Sequence, residues 1–143
     1  MRKRTLGREI ALQILYQYEM NPESLEPLIQ SYWENQHEMD PQAREFAEKL
    51  VRGTVQHLKE IDPIISAATD HWQLNRMAVV DRNIMRCATY ELLFLEDIPP
   101  KVTINEAVNL AKKFSQIESG KFVNGVLDKI CHTHAAKKLT LNE

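Results

Sequence analysis

Glycine is scarce in this sequence. Four occur in 143 residues, and none sits in a G-x-G-x-x-G or G-x-x-x-x-G-K setting. That excludes the glycine-rich loops that cradle nucleotide phosphates, and no nucleophile elbow is present either. Cysteine is scarcer: Cys87 and Cys131 lie inside apolar helical patterns. Such usage argues against a disulfide scaffold and fits small buried thiols in a reducing cytoplasm. No run approaches the roughly 20 apolar residues that a membrane span requires. The N-terminus has cations but no apolar core or small-residue cleavage site, so no secretory signal is expected. No stretch alternates with period two for long enough to form a strand. Charge of one sign is also lacking: 18 Lys and Arg face 20 Asp and Glu, a net charge of −2. No global field draws this chain to nucleic acid, so any such binding must come from a local basic patch.

The chemistry-bearing residues do not assemble into a catalytic or metal-binding pattern. Cys131, His132 and His134 are close in sequence, but His37, His57 and His71 are scattered, and a metal site needs three or four ligands. The acid pair Glu96 and Asp97 reads as solvated surface after a helix. Neither enzymatic activity nor a cofactor is expected.

What is present is helical periodicity. A hydrophobic content of 43% and a charged content of 27% are ordinary for a soluble globular chain. The length suits one domain, or two small subdomains sharing a core. Residues 1–8 form a basic arm with Arg2, Lys3, Arg4 and Arg8 and no acid. Thr5 can cap a first helix to about Met20, with Ile10, Ala11, Ile14, Leu15 and Tyr18 on one face. Cations at a helix N-terminus oppose its macrodipole, so the arm either is solvated or awaits an anionic partner. Asn21-Pro22 opens a second helix to about Gln36. Asp40-Pro41 opens a third, carrying Phe46, Ala47, Leu50, Val51, Val55 and Leu58. Asp62-Pro63 is read as the start of a fourth, through about Trp72. Residues 72–78 form a connector with a short helical turn. From Asp81 the run D-R-N-I-M-R-C-A-T-Y-E-L-L-F-L-E forms a strongly apolar helix, with Arg82, Arg86 and Thr89 on an outer face. Beyond Ile130 the period is lost. The expected fold is all-α, about seven helices in two packed helical subdomains, about 1–60 and 61–135, with a seam near 59–62.

The stretch from Thr103 to Ile130 organises the second half. Thr103 and Glu106 fit a capping box, and Pro99 and Pro100 stop the preceding helix. Ile104, Ala107, Val108, Ala111 and Phe114 make one apolar stripe. Ser119 fits a second N-cap, and Val123, Val126, Leu127 and Ile130 make the next stripe. Lys121, Asn124 and Asp128 share a polar face beside Phe122. Two readings of that face stand open: a solvated surface over a core Phe122, or cations beside an exposed ring that hold phosphates and stack a base.

These segments carry a family resemblance. V-T-I-N-E-A-V-N-L-A-K-K-F followed by S-G-K-F-V-N-G-V-L-D-K-I resembles the signature of the NusB transcription antitermination proteins. D-R-N-I-M-R-C-A-T-Y-E-L and the first helix, R-E-I-A-L-Q-I-L-Y-Q-Y-E, are similar to the same family. The resemblance implies an all-helical fold of two subdomains, with the length of a stand-alone member. It implies cytoplasmic binding of boxA RNA in nascent ribosomal RNA transcripts. That binding is shared with the ribosomal protein NusE, within a complex of other Nus factors and RNA polymerase. A homodimer of the idle protein is also implied. By motif match the RNA-reading positions are Arg4, Arg8, Tyr16, Glu118, Lys121 and Phe122, with Arg2 and Lys3 in the same arm. The NusE-facing candidates are Asp81 and Arg86. Two alternatives remain beside it. One is a helical protein-interaction module, and the other is a domain related to the N-terminal part of ribosomal RNA cytosine methyltransferases. A DNA-reading helix-turn-helix needs an exposed basic recognition helix, which no segment offers.

Overall fold

The computed structural model describes residues 2–70 and 74–134. Among them are seven α-helices, one turn of 3-10 helix and no strand. The fold is all-α, as the periodicity predicts. The expected end of the fourth helix at Trp72, and the tail from residue 135, lie outside the described residues. The chain divides into two compact units, Met1–Gly53 and Thr54–Glu143.

The first unit holds α1 (Lys3–Met20), α2 (Leu25–Glu34) and most of α3 (Pro41–Gln56). Helix α1 begins before the expected cap Thr5. Its N-cap, Arg2, makes no side-chain capping bond, and its carbonyl accepts the Leu6 N–H at 2.9 Å. Residues 2–4 are exposed, so water can satisfy the first-turn N–H groups without a capping side chain. The basic arm is therefore the first turn of α1. Ile10, Ala11, Ile14 and Leu15 are buried, as are Ile29 and Trp33 of α2 and Ala43, Phe46, Ala47, Leu50 and Val51 of α3. Gly7 is required by close packing: a Cβ there would lie 3.0 Å from Phe46 Cδ2 and 3.1 Å from the Ala43 carbonyl oxygen. Asp40 caps α3 as its sequence predicts, its Oδ1 accepting the N–H groups of Gln42 at 2.8 Å and Ala43 at 3.2 Å.

The division falls in the last turn of α3, ahead of the seam expected near 59–62. The Asp62-Pro63 pair does not start a helix, because α4 already begins at Leu58 and runs to Ala68 with Pro63 inside it. The bend is at His57, whose carbonyl accepts the N–H groups of both Glu60 and Ile61. An interior proline costs about 3 kcal/mol. Ile61 and Ile65 are fully buried in the same helix, each contributing roughly 1.5–3 kcal/mol, so burial outweighs the break.

In the second unit a 3-10 turn at Leu74–Arg76 leads to α5 (Val79–Phe94), α6 (Pro100–Phe114) and α7 (Ile117–His134). Helix α5 packs against α4, α6 and α7, which explains why it is buried almost all round, polar residues included. Neither the capping box expected at Thr103 nor the N-cap expected at Ser119 is used. Pro99 is the N-cap of α6 and Pro100 its first residue, the position where a missing N–H costs nothing. Thr103 lies one turn inside, buried, and donates its hydroxyl to Glu91 Oε1 of α5 at 3.0 Å. The stripe Val123, Val126, Leu127 and Ile130 is buried as predicted, but α7 continues past Ile130 through buried Cys131 to His134. Cys87 and Cys131 are buried and not joined in a disulfide. No described helix is long and apolar enough to cross a membrane.

Candidate nucleic-acid interface

Five of the predicted RNA-reading residues lie on α1, in the first unit. Arg2, Lys3 and Arg4 are exposed. Lys3 Nζ donates to Gln42 Oε1 at 2.9 Å and lies 3.5 Å from Asp40 Oδ2. Burial pushes the Asp40 carboxyl up, but the N–H groups of Ala43 and Gln42, with the Lys3 ammonium, outweigh it and hold the carboxyl below its ordinary range. The guanidinium carbons of Arg4 and Arg8 lie 5.2 and 5.3 Å from the centre of the Phe46 ring. These two differ in accessibility. Arg4 remains at the surface, whereas Arg8 is only 3% exposed. Arg8 falls on the packed face of α1, where its planar, weakly hydrated head can lie on an aromatic ring. It is a packing residue before it is a phosphate ligand. Tyr16 is 41% exposed, so its ring is reachable from solvent.

The other three, Glu118, Lys121 and Phe122, lie in the first two turns of α7, in the second unit, and all are exposed. Phe122 is 37% accessible, so its ring is not core. Glu118 and Phe122 stand four residues apart, hence on one face, with Lys121 beside them. Ser119 does not cap the helix. Its hydroxyl donates to Asp81 Oδ2 at 2.9 Å and lies 3.1 Å from Ser115 Oγ, tying the start of α7 to the start of α5. A Cβ on Gly120 would meet Lys112 Cε at 3.2 Å and Val108 Cγ1 at 3.5 Å. Gly120 thus lets the aliphatic stem of Lys112 lie across α7.

Two residues here escape sequence reasoning. Phe114, predicted to point inward, is 39% exposed with Lys113 Nζ 5.2 Å above its ring, and Ile117 is 78% exposed. The signal was available in Lys112-Lys113-Phe114: a helix ending in two lysines runs out into solvent, and its last aromatic runs out with it.

The predicted outer face of α5 is corrected. Arg82 is buried, and its Nη1 donates to the Leu74 carbonyl at 2.7 Å and the Met77 carbonyl at 3.3 Å, satisfying the end of the 3-10 turn. Thr89 is fully buried. Arg86 makes a two-pronged ion pair with Asp62, Nε to Oδ1 at 2.8 Å and Nη2 to Oδ2 at 2.9 Å. Asp81, in the first turn of α5 where an acid suits the macrodipole, is 8% exposed and held by Ser119. The two predicted NusE-facing residues therefore have intramolecular partners. Among the described residues no group of three His, Cys, Asp or Glu could hold a metal ion.

The surfaces are thus a basic first helical turn with a tyrosine further along, and a helix start presenting an exposed phenylalanine beside a lysine and an acid. The sequence profile of the NusB family matches residues 5–132. The chain belongs to the NusB family. Its relatives include the transcription antitermination protein NusB of Thermodesulfovibrio yellowstonii, 43% identical, with 95% of this chain and 99% of the relative covered. Among solved structures, NusB of T. maritima superposes with a TM-score of 0.86 at 41% identity, covering 98% of each chain. A second, from a complex of the antitermination factors NusB and NusE with double-stranded RNA, gives 0.84 at 34% identity, covering 93% of this chain and 98% of that one. Arg2, Lys3 and Arg4 precede the span matched by the NusB profile, and all three are exposed.

Proposed function

We propose that this chain is a transcription antitermination factor that binds boxA RNA of nascent ribosomal RNA transcripts together with the ribosomal protein NusE. It acts in the cytoplasm, by binding and without catalysis, within a complex of other Nus factors and RNA polymerase. The observation that carries the reading is the likeness, over nearly the whole chain, to a NusB bound with NusE and RNA. The surface chemistry supports it. Arg2, Lys3, Arg4 and Lys121 supply exposed cations for phosphates, and Tyr16 and Phe122 supply accessible rings on which bases stack. Arg8 contributes by holding Phe46, and with it the first turns of α1, in place.

NusE contact is assigned to the α5 side of the second unit. Asp81 and Arg86 act there by fixing the surface through Ser119 and Asp62 rather than by reaching out themselves. A homodimer of the idle protein belongs to the same proposal. The test is a titration of boxA RNA against the purified chain, with and without NusE. Binding of boxA RNA that tightens when NusE is added is the expected result. A chain that binds NusE but ignores RNA in both titrations would reduce the protein to an interaction module.

A further inference from the structure

The glycines of this fold have unequal explanations. Gly7 sits tightly against the Phe46 ring and the Ala43 carbonyl, and Gly120 lies close under the Lys112 stem. Gly125 has no such reason. It stands in the middle of α7, exposed, and a Cβ built on it meets nothing within 4 Å. Glycine in a helix interior is disfavoured relative to alanine, because its backbone loses more freedom on ordering. Among the described residues no close neighbour offsets that here. What surrounds Gly125 is informative. Side chains lean toward a helix N-terminus, so the volume that a side chain at 125 would fill lies beside Lys121 and Phe122, one turn earlier. Both are exposed. The bare backbone therefore adjoins an accessible aromatic ring and a cation.

We propose that Gly125 is an RNA-binding residue, its bare helical backbone receiving the nucleotide whose base stacks on Phe122. The inference rests on the RNA-binding reading above and deepens it. A base stacked on Phe122 with its phosphate at Lys121 has the bare turn at Gly125 beside it, an open path for its sugar or ring edge. A side chain at 125 would stand in that path. A single-stranded RNA is favoured over a protein surface, because the ring and the cation are what a stacked nucleotide requires.

The experiment pairs thermal melts with anisotropy titrations of single-stranded boxA RNA on full-length Gly125→Ala, Gly125→Gln, Phe122→Ala and Lys121→Ala. Gly125→Ala is expected to melt at a higher temperature than the parent and yet bind RNA more weakly. Gly125→Gln is expected to lose about tenfold in affinity, the scale of one lost stacking contact. A lowered melting temperature for Gly125→Ala would mean that packing requires the glycine, and would overturn the inference. So would unchanged affinity of Gly125→Gln while Phe122→Ala and Lys121→Ala weaken binding; the RNA site would then stand without Gly125. Weakened NusE binding with intact RNA binding would assign the spot to a protein partner instead. If neither Phe122→Ala nor Lys121→Ala alters RNA affinity, the site itself is misplaced and the inference falls with it.

Discussion

At the scale of single residues, exposure decides what each substitution reports. Phe122 is 37% exposed, so Phe122→Ala should cost clearly less stability than the about 3–5 kcal/mol of a core phenylalanine. Its RNA affinity should fall roughly tenfold, the size of one stacking contact. Glu118 lies on the same face and repels a phosphate there, so Glu118→Gln should raise boxA affinity even without NusE. A Phe122→Ala destabilised by that core amount, together with an unmoved Glu118→Gln, would remove this face from the RNA site. Arg8 behaves in the opposite way. Buried against Phe46, it should on change to Ala lower the melting temperature. Arg2→Ala should weaken only RNA binding. Denaturation curves and titrations on the same two proteins separate the roles, and equal behaviour of both would contradict the burial of Arg8.

At the scale of elements, much of the helix pattern was legible in the sequence, and the misreadings share one cause. The stripes of α1, α3 and α7 follow from spacing alone, because a 3.6-residue period leaves one face to bury. Helices α6 and α7 start ahead of their expected caps, since Thr103 and Ser119 resemble caps but donate instead to buried Glu91 and Asp81. A hydroxyl's choice between its own backbone and a neighbouring helix depends on packing, which spacing does not contain. Likewise Arg82 and Arg86 look like a solvated stripe until their partners, the Leu74 carbonyl and Asp62, come from elsewhere in the chain. Accordingly Arg86→Glu, which sets an acid against Asp62, should lower the melting temperature along with any NusE affinity, and circular dichroism beside a NusE titration checks both. Pro63, exposed within α4, should be replaceable: Pro63→Ala is expected to stabilise by about 1–2 kcal/mol in urea unfolding, and a loss would show that the ring is needed. Between α2 and α3, Arg52 bonds Glu26 at 2.9 Å and Glu48 at 2.7 Å. Its hydrogen bond lowers the Glu26 pKa; at Glu48 burial pushes upward and Arg44 and Arg52 outweigh it. A carboxylate with a depressed folded pKa contributes stability above its unfolded pKa and loses it as pH falls through the folded value. The stability gap between parent and Arg52→Met should therefore be steady at neutral pH and close below about pH 4. Arg52 and Glu26 are exposed and only Glu48 is partly covered, so the gap should stay under about 1 kcal/mol.

At the scale of the whole molecule, a chain of net charge −2 that binds RNA must do so through local cations, and salt will show how many. Arg2, Lys3, Arg4 and Lys121 are the exposed candidates. Four phosphate contacts on a single strand, at about −0.7 each, give a slope of log affinity against log salt near −3. Removing residues 1–4 should take away three of those contacts and leave a slope near −0.7. A slope that does not change on that deletion would put the arm outside the mechanism. Partner coupling is a separate quantity, because RNA and NusE occupy different surfaces of one chain in the proposed reading. If NusE raises the affinity for boxA RNA by some factor, boxA RNA must raise the affinity for NusE by the same factor. Four equilibrium constants close this cycle: each ligand measured on the chain alone and on the chain saturated with the other. Typical coupling of about 1–3 kcal/mol corresponds to a factor of roughly 5–150, well within reach of titration. A coupling that persists in high salt would show that NusE acts by ordering or adding contacts near the RNA. A coupling that disappears with salt would trace it to cations brought by NusE. No coupling at any salt would mean two independent binding events, and the shared action on boxA proposed for this chain would fail.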